Sequence, residues 1–201
     1  ARADALFAAV ADTATRSELR GFNAQEIANT AWAFATAGVR ADALFAAVAD
    51  AATRSELVRG FNAQDMSNTA WAFATAGVRA DALFAAVAGA ATRSELHGFK
   101  PQELSNTVWA FATAGVRDDA LLAAIADAAT RSELRGFNAQ NLSNMAWAFA
   151  TAGVRADALF AAVADAATRS ELRGFNAQDL ANTAWAFAAR DGRAEAQSAD
   201  A

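Results

Sequence analysis

Apolar and polar residues follow each other along this chain with the spacing of amphipathic helices. Residues 25–37, placed 100° apart as in an α-helix, collect most of their apolar side chains within an arc of about 160°. These side chains are Ile27, Ala28, Ala31, Trp32, Phe34 and Ala35. Ala41 to Arg54 has the same pattern, with Leu44, Phe45 and Val48 on one side. The pattern therefore predicts two amphipathic helices, which we name helix A and helix B.

This pair of segments recurs at a nearly fixed period. The tryptophans are separated by 39, 38, 38 and 38 residues and are Trp32, Trp71, Trp109, Trp147 and Trp185. Val58 lengthens the first interval, which indicates a surface connection there. Periods of this length are typical of solenoids, in which neighbouring repeats cover each other's apolar faces. We therefore predict an all-α fold, a right-handed α-solenoid of stacked two-helix repeats with about ten helices.

Capping residues predict where helix A begins and ends. Asn23 is a good N-cap, and Glu26 three residues later completes a capping box. Gly38 is placed to end the helix in the left-handed conformation. In the third copy Lys100 takes the cap position and Pro101 follows it, where proline is tolerated. We expect this copy to begin less firmly than the others.

The repeats predict one solenoid domain over residues 1–189. Its units lie near 1–20, 22–58, 61–97, 99–135, 137–173 and 175–189. We expect the first helix over about 3–18 and the last over about 177–189. Residues 190–201 lack the apolar spacing of another helix B and predict a polar, disordered tail. Because neither end carries a polar cap, we expect a fragment or terminal repeats that pack on another chain.

Composition excludes several classes of function. The net charge of −5 argues against a surface that attracts nucleic acid everywhere. There is no cysteine and one histidine, His97, which excludes thiolate and histidine-built metal sites and disfavours acid–base catalysis. No nucleophile–base pair, phosphate-binding glycine loop or membrane span is visible in the sequence. We predict a non-catalytic protein with no metal, cofactor or small-molecule substrate.

Helix A carries repeated polar side chains beside its tryptophan. A Gln, an Asn and a Thr lie along one edge at the spacing of Gln25, Asn29 and Thr36, and stacking would align their copies about 8–10 Å apart. The candidate amides are Gln25, Asn29, Gln64, Asn68, Gln102, Asn106, Gln140, Asn144, Gln178 and Asn182. Amides can bind the edges of unpaired bases, so these are candidate RNA- or partner-binding residues. Alternatively, the Asn column bonds to neighbouring backbone and fixes the stacking of repeats.

Two other positions of helix A bear on this hypothesis. We expect the tryptophans to be the buried anchors of the repeats, with an exposed stacking platform as the alternative. The residue that follows Gln is mostly acidic, and such a column would repel phosphate from this edge. Its members are Glu26, Asp65, Glu103, Asn141 and Asp179.

Arginines form columns that are candidate phosphate contacts. One column follows helix A and contains Arg40, Arg79, Arg117 and Arg155. Two more lie near the end of helix B and in the connection to the next helix A. The alternative is a solvated face on which the arginines are balanced by Asp42, Asp50, Glu56 and their copies.

The repeated motif resembles the octotricopeptide repeat family of algae and related protists. It has the form Phe-Asn-x-Gln-(acidic or Asn)-Leu-(Ser or Ala)-Asn-Thr-x-Trp-Ala-x-Ala-Thr and covers about residues 3–189. The resemblance implies helix-pair repeats that bind single-stranded organellar RNA. It favours a plastid over a mitochondrion as the compartment. The competing hypothesis is a protein–protein scaffold or an accessory subunit of a large organellar complex, photosynthetic or ribosomal.

Overall fold

A computed structural model describes residues 2–54 and 60–199 of the chain, and the side chains of residues 3–54 and 60–192. These residues form ten α-helices and no strand. The helices of type A are α2 (Ala24–Thr36), α4 (Ala63–Ala76), α6 (Pro101–Ala114), α8 (Ala139–Ala152) and α10 (Ala177–Ala199). The helices of type B are α1 (Arg2–Arg16), α3 (Asp42–Thr53), α5 (Asp81–Arg93), α7 (Asp119–Arg131) and α9 (Asp157–Arg169). The all-α prediction is confirmed.

The chain divides into two compact units, residues 1–98 and 99–201, and each has two helical layers. In the first unit α2 packs against α4, while α1, α3 and α5 form the other layer. In the second unit α6, α8 and α10 form one layer, and α7 and α9 form the other. Each of α2, α4, α6 and α8 also packs against the helix B that follows it. Stacked two-helix repeats are thus confirmed, and one continuous domain over 1–189 stays a prediction.

The core of each unit lies between its two layers. Phe45 on α3 meets Phe73 on α4 edge to face, with ring centroids 5.0 Å apart and planes at 84°. Phe160 on α9 and Phe187 on α10 repeat this contact at 5.2 Å and 85°. Burial of such a side chain stabilises a fold by about 1.5–3 kcal/mol. The aromatic pairs therefore hold α3 against α4 and α9 against α10.

The ends of helix A match the sequence predictions. The Asn62 side chain accepts from the Asp65 backbone N–H, and the Asp65 carboxylate accepts from the Asn62 N–H. The glycine after each of α4, α6 and α8 has a φ of 64° to 66°, as the left-handed cap requires. At α6 only the Lys100 backbone N–H donates to Glu103, because the lysine side chain has no acceptor.

The last helix is longer than the sequence analysis predicted. We expected it to end near residue 189, but α10 continues to Ala199 through most of the segment that we predicted to be a tail. Alanine, arginine, glutamate and glutamine predominate there, and all are good helix formers. Residues 190–201 lack the apolar spacing of helix B, and this excluded another repeat there. It did not exclude a helix of mainly polar residues.

The connection from helix B to the next helix A has left-handed backbone at two consecutive non-glycine residues. Glu18 and Leu19 have φ of 51° and 54°, and three later connections repeat this pair. Leu19 is buried, which offsets a backbone cost of roughly 1–2 kcal/mol per residue.

Val58, with Glu56 and Arg59, lies outside the described residues. No helix in the described part of the chain is both long and apolar enough to span a bilayer.

Candidate functional site

The Gln, Asn and Trp side chains of each helix A share one strip of its surface. Gln25, Asn29, Trp32 and Thr36 fall within about 60° of each other around α2, opposite the side that faces the helix B layer. All five glutamines are exposed, Asn29 is exposed, and the four later asparagines are half-buried. We name this surface the amide strip. It comprises the Gln, Asn and Trp of each helix A, with the Thr36 equivalents.

The ten amides of the strip form no side-chain hydrogen bond with the described part of the chain. Gln64 and Gln102 form non-helical hydrogen bonds only through their backbone carbonyls, which accept from the Ser67 and Ser105 hydroxyls. The alternative in which the Asn column bonds to neighbouring backbone is therefore wrong for these residues. Each amide keeps two donors and an acceptor for solvent or a ligand.

Other polar residues connect the successive helices A of the second unit. The Asn141 amide donates to the Ser105 hydroxyl over 3.0 Å, and the Ser143 hydroxyl donates to the Asp179 carboxylate over 2.9 Å. Both bonds are buried and join residues 36 positions apart. The sequence analysis missed them, although a small Ser or Ala two positions after an acid or Asn was the visible signal.

The acidic column lies away from the amide strip. Asp65 and Asp179 are only 4% and 5% exposed. Glu26 and Glu103 accept from the backbone N–H two positions before each glutamine. They are thus bound at helix starts, where the helix dipole favours a negative charge. The expectation that this column repels phosphate from the amide edge stays a prediction, since Asp65 and Asp179 are buried while Glu26 is exposed.

The tryptophans are not the buried anchors that we expected. Trp32 is 45% exposed and Trp185 is 47% exposed, and the three between them are half-buried. The buried aromatic is the phenylalanine two positions later, such as Phe34 at 2%. Trp lies at the margin of the apolar arc, whereas Phe points at the helix B layer. In the first unit Trp32 and Trp71 have ring centroids 6.5 Å apart, and in the second Trp147 and Trp185 are 6.4 Å apart.

Each arginine that follows helix A pairs with the aspartate two positions later. The pairs are Arg40–Asp42 at 3.1 Å, Arg79–Asp81 at 3.0 Å, Arg117–Asp119 at 2.7 Å and Arg155–Asp157 at 3.9 Å. All four arginine side chains are more than half exposed. The hydrogen bond and the charge of Asp81 raise the pKa of Arg79 above its ordinary value. A phosphate at these residues would compete with a carboxylate, so their role in phosphate binding stays a prediction.

A comparison with known protein families covers nearly the whole chain. The family model described as RNA-editing substrate-binding complex 6 protein (RESC6) matches residues 2–191. A search of curated proteins finds no match. The match supports a helical-repeat family related to RNA editing, and it does not support octotricopeptide repeats specifically. The chain belongs to the RNA-editing substrate-binding complex 6 protein family.

Proposed function

We propose that this member of the RNA-editing substrate-binding complex 6 protein family is a non-catalytic module that binds single-stranded RNA through its amide strip. One observation carries the proposal: the ten amides are exposed or half-exposed, and none has a side-chain partner in the described residues. The family description, which names RNA-editing substrates, supports RNA as the ligand class. The octotricopeptide resemblance supports the same class.

The chemistry of the strip favours unpaired RNA over duplex RNA. Amides recognise hydrogen-bond donors and acceptors on base edges. In an RNA duplex these base edges lie in a deep, narrow major groove that side chains cannot enter. Duplexes are instead bound mainly through phosphates and 2′-hydroxyls, for which a protein uses positive charge. Four of the five helices that carry the strip, α2, α4, α6 and α8, contain no lysine or arginine.

The electrostatic contribution to this binding should be small. The chain has a net charge of −5, and the four arginines that follow helix A are paired with aspartates. Each phosphate contact on single-stranded nucleic acid contributes about −0.7 to the slope of log affinity against log salt. We therefore expect a shallow slope, of about one phosphate contact or less.

The test is a titration of the chain into a fluorescently labelled, mixed-sequence single-stranded RNA, followed by anisotropy across a salt series. We expect saturable binding with a shallow salt slope, and weaker binding to a duplex of the same length. A chain that binds no single-stranded RNA even at low salt would overturn the proposal. A steep slope with equal affinity for the duplex would also overturn it, since that result indicates phosphate binding.

Exposed apolar side chains favour a second candidate function, which is docking within a protein assembly. Leu6 on α1 is 64% exposed and Leu180 on α10 is 42% exposed, whereas the equivalent Leu44 and Leu142 are buried. The family description names a complex, so an RNA-editing assembly is favoured over a photosynthetic or ribosomal one. Cross-linking of the natively purified protein would test this, since a docked subunit should link through the surfaces of α1 and α10. An organellar location, with a plastid favoured over a mitochondrion, stays a prediction.

A further inference from the structure

We propose that, within each of the two units, the tryptophans of the amide strip form a stacking surface on which unpaired RNA bases lie. We name them the tryptophan column: Trp32, Trp71, Trp109, Trp147 and Trp185. This inference rests on the proposed RNA-binding function and identifies the part of the nucleotide that the strip contacts, namely the face of the base. It extends the amide hypothesis, which concerns only base edges.

The exposure of the column is the first argument. An indole is among the largest apolar groups in proteins, and a core of this kind has room for a large ring, as Phe34 and Phe73 show by their burial. Trp32 and Trp185 nevertheless keep nearly half of their surface in solvent, at 45% and 47%. The exposure is largest on the first and last helices A, and the three indoles between them are half-buried, so each indole keeps part of its surface in solvent.

The neighbours of each indole are the second argument. Asn29 precedes Trp32 by three positions and Thr36 follows it by four, so both side chains are neighbours of the indole on the helix surface. The later copies keep the Asn, and all but the last keep the Thr. A base stacked on the indole would therefore have an amide within reach of its edge. The unpartnered asparagines and the exposed indoles then have one explanation in common.

The pairing of a ring with an amide in every repeat is the third argument, because it distinguishes bases from a protein partner. Protein interfaces have a contiguous apolar core with a polar rim. In the strip, every indole instead has an Asn three positions before it on the same helix, so polar groups adjoin the aromatic surface directly. Base stacking needs no charge on the protein, because every base has a π face. Single-stranded RNA fits this surface better than a docked protein does.

The protein has a built-in probe for this proposal. It contains five tryptophans and no tyrosine, and all five tryptophans belong to the column. Its tryptophan fluorescence therefore reports on the column alone. We expect mixed-sequence single-stranded RNA to quench this emission with the same midpoint as the anisotropy titration. A duplex of the same length and the polyanion heparin should leave the emission unchanged.

A matched pair of variants provides the second measurement. Trp185→Ala removes an indole that is 47% exposed, and Leu180→Ala removes an apolar side chain on the same helix that is 42% exposed but lies outside the strip. We expect Trp185→Ala to weaken RNA binding about five- to 150-fold, the range for one lost base–aromatic stack. Leu180→Ala should bind as the original protein does, and Trp185→Phe should bind between the two. Circular dichroism of each variant verifies that it is folded.

The outcomes separate this inference from the function on which it rests. RNA that binds without quenching, or that binds Trp185→Ala with full affinity, would overturn the stacking surface and leave RNA binding in place. Equal losses in Trp185→Ala and Leu180→Ala would overturn it as well, because the effect would not be specific to the strip. Absence of any RNA binding by anisotropy would overturn both proposals.

Discussion

The Ser143 hydroxyl on α8 donates a 2.9 Å hydrogen bond to the Asp179 carboxylate on α10, and both residues are buried. The same carboxylate accepts from the Asn176 backbone N–H over 3.1 Å at the start of α10. One side chain thus begins a helix and connects it to the helix A before it. Asn141 does the same one repeat earlier, where it bonds to Asn138 and to Ser105.

Removal of the Ser143 hydroxyl should destabilise the second unit. Ser143→Ala leaves the buried Asp179 carboxylate without one of its donors, and an unsatisfied buried group costs about 1–3 kcal/mol. The measurement is the free energy of unfolding from urea denaturation. Asp179→Asn is the control, because Asn141 shows that an amide fits this position and still bonds to the serine. A larger loss for Asp179→Asn than for Ser143→Ala would contradict this account.

Loss of strip amides should weaken RNA binding without a change in stability. In Gln140→Ala with Asn144→Ala, each lost hydrogen bond to RNA should cost about 0.5–1.5 kcal/mol of binding free energy. Neither side chain has a protein partner in the described residues, so the free energy of unfolding should be nearly unchanged. Anisotropy with labelled single-stranded RNA measures the first effect, and urea denaturation measures the second.

The control for these amide variants is an ion pair on a helix B. Asp127→Ala with Arg131→Ala removes an exposed pair on α7 and leaves the net charge unchanged. We expect this variant to keep full RNA affinity. If it loses as much affinity as the amide variant, the strip is not the binding surface.

Release of the paired arginines should make RNA binding more dependent on salt. Asp81→Asn and Asp119→Asn remove the carboxylates that bind Arg79 and Arg117. If these arginines then contact phosphate, affinity at low salt should rise and the salt slope should steepen by up to about 0.7 per residue. Adding Arg79→Gln and Arg117→Gln should reverse both changes. A slope that none of these variants alters would show that the column does not contact phosphate.

The extension of α10 beyond residue 189 predicts opposite effects for two glycine substitutions. Gly192 lies inside α10, and a Cβ added there would meet no atom within 4 Å, so Gly192→Ala should stabilise the helix by up to about 1 kcal/mol. Gly77 has a φ of 64° at the end of α4, and Gly77→Ala should destabilise by about 1 kcal/mol. Helical circular dichroism and the unfolding free energy measure both effects. A neutral Gly192→Ala, with no gain in helicity, would indicate that the helix does not continue there.

The helices were predictable because their apolar period and their caps agree. The predicted start of helix A at Asn23 and its glycine end are both found in the structure. The exposure of Trp32 was not predictable from hydrophobicity. An indole at the margin of an apolar arc can be buried with the apolar side chains or exposed with the polar ones. The bond between Ser143 and Asp179 was not predictable from one helix, since its partners meet only when two repeats pack. The site residues themselves remain predictions that await binding data.

The five copies of the strip present the same glutamine, asparagine and indole at every step. Within each unit, a ligand that runs along the strip meets the same chemical environment at each repeat, so one order of nucleotides gains no advantage over another. What the strip of one unit can distinguish is the length of an extended strand, because a longer strand occupies more of the repeats in that unit. Discrimination between one transcript and another would then have to come from a different molecule.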